Sequence, residues 1–304
     1  MLHVANRVAV LTVFGLVAAA ASVHAQPMQT GQTITQFSLA GVSQFRTNMS
    51  EGGNFDWNDV TASLRFNRQL SPQWGAGATL EYGYQHWSWS NPTAFGGVAP
   101  WQGINVPLLG LSVSYSPTPQ WRFSVNPSVE WAAETGVGTS SSATYGAVLM
   151  ATNSIAPDLT IGLGAGVFRQ IDENKVFPFI AINWQITDRL SLRNPLPAGP
   201  AGGAGLELAY QIDENWNVGA GGAYRSYRFR LNNSGPFAGG IGQNRLIPVF
   251  ARISYQFMPG TRLDLYGVAS TGGNVQARSA DGTQTFNSDY NTGFGLGLNL
   301  SHRF

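Results

Sequence analysis

The sequence predicts an all-β chain: one antiparallel up-and-down transmembrane β-barrel of about 14 strands, with 12 as the alternative count. Three observations predict it. Apolar residues recur at every second position through long runs such as Trp121–Trp131. Tight turns alternate along the chain with longer polar loops. The chain is 43% hydrophobic but only 11% charged, against roughly 25% charged in a typical soluble domain.

The first 25 residues differ in kind from the rest. They hold one cation, Arg7, then an apolar stretch from Val8 to Ala21, then Val23-His24-Ala25. Short residues at the third-last and last of these positions suit signal peptidase, so residues 1–25 are expected to be a signal peptide and 26–304 the barrel. Taking Arg7 from the 17 basic residues leaves 16, against 16 acidic. A balanced chain of this kind gives nucleic acid nothing to bind. With no cysteine, an exported chain must rely on packing and hydrogen bonds alone.

The expected strands are 33–46, 58–70, 74–89, 104–116, 121–134, 143–155, 159–170, 176–186, 189–194, 203–212, 215–231, 245–257, 261–274 and 289–304. Six short turns separate alternate pairs: "SPQ" before Trp74, "PTPQ" before Trp121, "APD" before Leu159, "TDR" before Leu190, "DEN" before Trp216 and "MPGTR" before Leu263. Pro, Asp, Asn and Gly supply their tight geometry. The other connections are Gly/Ser/Asn-rich, at 47–57, 90–103, 135–142, 195–202, 232–244 and 275–288, with a tighter one at "DENK" (172–175). An even strand count puts both termini on the short-turn side. "QIDEN" occurs at 170–174 and 211–215, at opposite ends in this topology, so it is not read as a repeat. The strands at 33–46 and 143–155 alternate poorly.

A soluble sandwich would bury such apolar faces in a dry core. A transmembrane barrel turns them to lipid. Strand length favours the membrane, since sandwich strands average about 5–6 residues and membrane strands need about 9–11. Trp74, Trp121, Trp216 and Tyr255 beside the short turns, and Tyr82, Tyr84, Trp87, Trp89, Trp131, Tyr224 and Tyr227 at the other ends, are expected to form two aromatic girdles.

The last strand, "GFGLGLNLSHRF", carries Leu296, Leu298, Leu300 and Phe304 on one face. With the architecture, it makes the chain resemble Gram-negative outer-membrane β-barrel proteins of the porin or transporter kind. Residues 176–195 and 202–231 are also loosely similar to a family of outer-membrane barrels of unknown function. The resemblance implies short periplasmic turns, longer outer loops and a bacterial outer-membrane location. It also implies that Phe304, Leu300, Leu298 and Leu296 form a signal read by the barrel-assembly machinery, with periplasmic chaperones as further partners. His302 stands where that family favours an apolar residue.

Enzymatic barrels rely on histidine, and beyond residue 25 there are two, His86 and His302. His86 falls on the outward parity, so no catalysis is expected; an outer-membrane lipase or protease is the third-ranked reading. "EGGNFDWND" (51–59) and "DGTQTFNSD" (281–289) lack the spacing of a known metal loop, and neither a metal nor a cofactor is expected. Inward parity carries Arg65, Arg122, Arg225 and Arg252 beside Glu81, Glu130, Glu207 and Asp264. These charges either line an aqueous passage with weak charge selectivity or cross-link a closed lumen. The first reading makes the protein a channel or transporter for small solutes; the second makes it a structural or surface-interaction barrel. Inward glycines are expected to leave room for a passage. Arg228 and Arg230, in "YRSYRFR", are expected to contact lipopolysaccharide phosphates.

Overall fold

The computed structural model describes residues 28–195 and 205–304; the expected signal peptide and most of the 195–202 loop lie outside them. Strands β1 (Thr33–Asn48), β2 (Asn54–Gln69), β3 (Trp74–Ser90) and β4 (Gly103–Tyr115) come first. Next are β5 (Trp121–Trp131, extended by Ala133–Glu134), β6 (Ala143–Ala156), β7 (Leu159–Gln170) and β8 (Glu173–Gln185). Two short strands follow, β9 (Leu190–Arg193) and β10 (Leu206–Gln211). The chain finishes with β11 (Trp216–Gly222 and Arg225–Arg230), β12 (Ile241–Met258), β13 (Thr261–Arg278) and β14 (Thr285–Tyr290 and Gly293–Arg303). Each strand pairs antiparallel with the next, and β14 pairs back onto β1 from Gln36↔Arg303 to Gln44↔Gly295. The result is a closed barrel of 14 strands.

The alternation sorts side chains as the period of two requires. In β14 every apolar residue from Phe294 to Leu300 is exposed on the outer surface while the residues between them are buried. Leu163 (71% exposed), Val176 (68%) and Leu296 (59%) stand on that surface with dozens of other large apolar side chains. No soluble monomer presents such a continuous apolar belt, so this face meets lipid. β1 and β6 alternate poorly because small or polar residues (Gly41 and Ser43, and Asn153) share the outward parity while apolar ones (Val42, and Val148 and Met150) share the inward one; the bulges at Gln44/Thr47 and Ser154/Ala156 fall only at the strand ends.

Four of the six short turns share one device. A side-chain oxygen near the start of the turn accepts a hydrogen bond from the N–H of the residue that opens the next strand. Ser71 Oγ does so from Trp74 (3.1 Å), Thr118 Oγ1 from Trp121 (3.3 Å), Thr187 Oγ1 from Leu190 (3.0 Å) and Asp213 Oδ1 from Trp216 (2.8 Å). Trp74, Trp121 and Trp216 are thereby fixed outward at one rim, where Trp74 packs on Tyr115 and Trp216 on Tyr255, each at 4.6 Å between ring centroids.

The opposite rim departs from a plain cylinder. The lower half of β11 pairs with β10, while its outer half, Arg225–Arg230, has no β10 partner among the described residues. It keeps its register on β12, and the pairing lapses only around Pro248, which has no N–H to offer. Its free edge meets the extension of β5: the Arg230 N–H donates to the Ala132 carbonyl at 2.9 Å, and Arg230 lies parallel to Ala133. Among the described residues, the long-loop end is therefore ringed by β1–β5 and β11–β14, while the short-turn half uses all the strands.

Candidate functional site

The lumen is layered. At its long-loop end a dry cluster fills the smaller ring: Phe55 and Trp57 from β2, Trp87 from β3, Trp101 and Phe95 from the β3–β4 loop, and Phe229 from β11. Trp57 stacks on Trp87 at 5.4 Å and Trp87 on Trp89 at 5.7 Å, while Trp101 meets Phe229 edge-on at 5.2 Å. This corrects the expected second girdle. Tyr82 and Tyr84 do face lipid, but Trp87 is buried and Trp89 and Tyr227 pack against the cluster. The reason is parity, because Trp87 and Trp89 share the face of Glu81, not that of Tyr82.

Glycines do not hold the lumen open either. The Tyr290 ring lies over Gly273 and the Phe177 ring over Gly166, so closely that a Cβ at either glycine would enter the ring. Each glycine accommodates an aromatic side chain from the neighbouring strand rather than leaving space.

In the short-turn half, one ion network joins six consecutive strands. Arg252 of β12 is its centre, bonded to Glu207 of β10, to Asn217 Oδ1 of β11 at 2.7 Å, and to Asp264 of β13 at 3.4 Å. Arg193 of β9 reaches Glu207 at 3.3 Å. Asn299 of β14 donates to Asp264 at 2.8 Å, and Arg262 lies 3.2 Å from the same carboxylate. Gly219 is needed beneath it, since a Cβ there would sit 2.5 Å from Glu207 Oε1 and 3.0 Å from Arg252 Nη2. The network anchors β9 and β10, whose own ladders are too short to hold them firmly.

Between the aromatic cluster and this network lies a chamber of about 90 Å³, several times what one water molecule needs. Asp59, Arg65, Glu81 and Arg225 line it, with Trp57 and Tyr227 against the aromatic cluster. Thr61 and Gln85 donate to Asp59 at 2.9 and 3.1 Å. Arg225 Nε donates to the Tyr227 hydroxyl at 3.3 Å, with its guanidinium 5.0 Å from the ring centre. Of the eight charges expected in the lumen, Arg65, Glu81 and Arg225 line this chamber, and Glu130 feels the charges of Glu81 and Arg225. Glu207, Arg252 and Asp264 form the network below it. Arg122 stands apart near the short-turn rim, donating to Ser114 Oγ at 3.0 Å. Asp59 and Arg193 were not singled out from sequence; Asp59 shares the parity of Arg65, which is the signal that could have found it.

Arg228 and Arg230 do not stand free on the outer surface. Arg228 is buried and bonds Asp172 (2.6 Å) and Glu173 (3.4 Å) at the tip of the β7–β8 hairpin, while Arg230 donates to the Ser141 and Gly239 carbonyls at 3.0 Å each. Neighbouring strands consume them because the outer half of β11 runs inside the rim. Asp172 also pairs with Arg278 of β13. His86 is exposed on the lipid face, and His302 lies 2.7 Å from Thr261 Oγ1 with its ring against Phe304. Leu296, Leu298, Leu300 and Phe304 share the outer surface. In the loop at 281–289, Asp281 accepts hydrogen bonds from Ser279 and Thr283 of the same turn.

No protein-family model and no curated protein matches the chain. Among solved structures, it is similar to a FadL homologue of Pseudomonas aeruginosa, at 12% identity over 90% of each chain with a TM-score of 0.47. It is likewise similar to the toluene transporter TodX of P. putida, at 13% identity over 90% of each chain with a TM-score of 0.42. The translocator domain of the autotransporter NalP from Neisseria meningitidis matches at 11% identity, with 90% of each chain covered and a TM-score of 0.33. The fold rests on the chain's own strands: by its closed pairing, lipid-facing belt and charged interior, this protein is a β-barrel of the outer-membrane type.

Proposed function

We propose that the protein is a gated outer-membrane channel or transporter for small polar solutes, with weak charge selectivity and no catalytic step. The observation that carries this reading is the chamber: charges of both signs, Asp59 and Glu81 with Arg65 and Arg225, face one cavity in mid-lumen. A barrel that served only as a scaffold would have no need to hold such charges away from water, because burying them is costly. Their near balance accounts for weak selectivity. The aromatic cluster on the outer side is the gate, a dry layer that ions cannot cross without a shift of Trp87 and its neighbours. The terminal strand serves the barrel-assembly machinery and periplasmic chaperones, and the outer rim meets lipopolysaccharide. Export by residues 1–25 completes the reading.

A structural or surface-interaction barrel is the second reading, favoured by the same aromatic cluster if it never moves. Planar-bilayer recording of the refolded protein separates the two. The wild type is expected to show small, infrequent conductance steps, and Trp87→Ala larger or longer ones. A silent bilayer for both, at high load of folded protein, overturns the transport reading.

A further inference from the structure

The buried charges of the lumen fall into two groups. Those of the short-turn network and of the hairpin tip are matched by charged or amide partners. Asp59 is satisfied by Thr61 and Gln85, and Arg225 is engaged with Tyr227. Arg65 and Glu81 are different. Arg193 and Arg228 also have a buried Nε with no acceptor, but both are paired through Nη. Arg65 and Glu81 line the chamber and act on each other only through space, with no hydrogen bond or ion pair to a described residue. A carboxylate and a guanidinium are thus held on one chamber without the direct partners that buried charges require.

We propose that this chamber binds a small zwitterion, one ammonium and one carboxylate on a short carbon frame. The proposal rests on the channel reading only in that the ligand must reach the chamber from solution. Its geometry follows from strand register. Arg65 lies opposite Thr79, and Glu81 opposite Ser63, so Arg65 and Glu81 are diagonal neighbours on β2 and β3, with backbones about 7–8 Å apart. A carboxylate can bridge to the Arg65 fork, and an ammonium on the same molecule can then approach Glu81. A lone anion would leave Glu81 unmatched, and a lone cation would leave Arg65 so. The volume of about 90 Å³ suits a solute of a few heavy atoms.

Isothermal titration of the refolded full chain in detergent micelles tests this, with 3-aminopropanoate as the zwitterion and ethylammonium and propanoate as one-charge probes. The zwitterion is expected to bind one to one, and each one-charge probe about tenfold more weakly or worse. Arg65→Gln and Glu81→Gln should each weaken the zwitterion by a similar factor, and Arg65→Lys by less. Heat-modifiable gel mobility shows whether each variant is folded. The site is overturned if the folded wild type does not bind 3-aminopropanoate, if ethylammonium or propanoate binds as well, or if both folded Gln variants bind unchanged. Binding with a silent bilayer removes the transport reading alone. Conductance without binding removes this site alone.

Discussion

Single residues here are governed by which way a side chain points and by whether its charge is met. Parity made most of this readable: Glu81, Glu207, Arg252 and Asp264 all follow from counting by twos. It was equally available for Trp87 and Trp89, yet tryptophan near a strand end suggests the membrane interface, and that association overrode the count. Partnership could not be counted. Arg252 and Arg122 look alike in the sequence, but one is the centre of a buried network and the other stands exposed beside a single serine. Arg252→Met should therefore cost about 3–5 kcal/mol by stranding Glu207 and Asp264. Arg122→Met should stay within about 0.5 kcal/mol. Urea unfolding in micelles compares the two, and equal losses would contradict the network's role.

At the scale of elements, the β7–β8 hairpin and the outer half of β11 behave differently from the rest of the wall. The hairpin turns at Ile171, whose φ of +51° is unfavourable for a β-branched residue. Asp172 holds that turn in place by pairing with Arg228 and Arg278. Asp172→Ala removes charge-assisted bonds of about 1.5–3 kcal/mol each. Amide exchange around residues 168–175 should then quicken at least about tenfold, read by mass spectrometry. Lys175→Ala, which removes only a half-exposed pair with Glu173, should leave it nearly unchanged. Strand positions were legible from the turn chemistry to within a few residues. The departure of β11 from β10 was not, because the sequence marks only Pro248 and a glycine run, and neither names the strand that the free edge will meet.

For the whole molecule, the ordering of short turns and long loops sets the topology: both ends of the strand series share the short-turn rim, with Phe304 N–H bonded to the Thr35 carbonyl at 2.8 Å. A peptide tag inserted after Ser234, in an exposed outer loop, should be detected on intact cells. One inserted after Glu214, in a short turn, should be detected only after the outer membrane is opened. The reverse pattern would invert the barrel. The two copies of "QIDEN" lie at opposite rims, one at the β7–β8 tip and one at the β10–β11 turn.

The chain by itself determined an antiparallel barrel of about 14 strands, which face of the cleanly alternating strands meets lipid, and where the tight turns fall. These are local properties, set by a side-chain period of two and by the hydrogen bonds that Ser, Thr and Asp make within a few residues. Only the tertiary structure decided that the outer mouth is closed by a smaller ring, that aromatic rings cover inward glycines such as Gly166 and Gly273, and which lumen charges are paired. Those depend on contacts between residues far apart in sequence, where the strand a side chain meets is set by barrel closure and not by its neighbours along the chain.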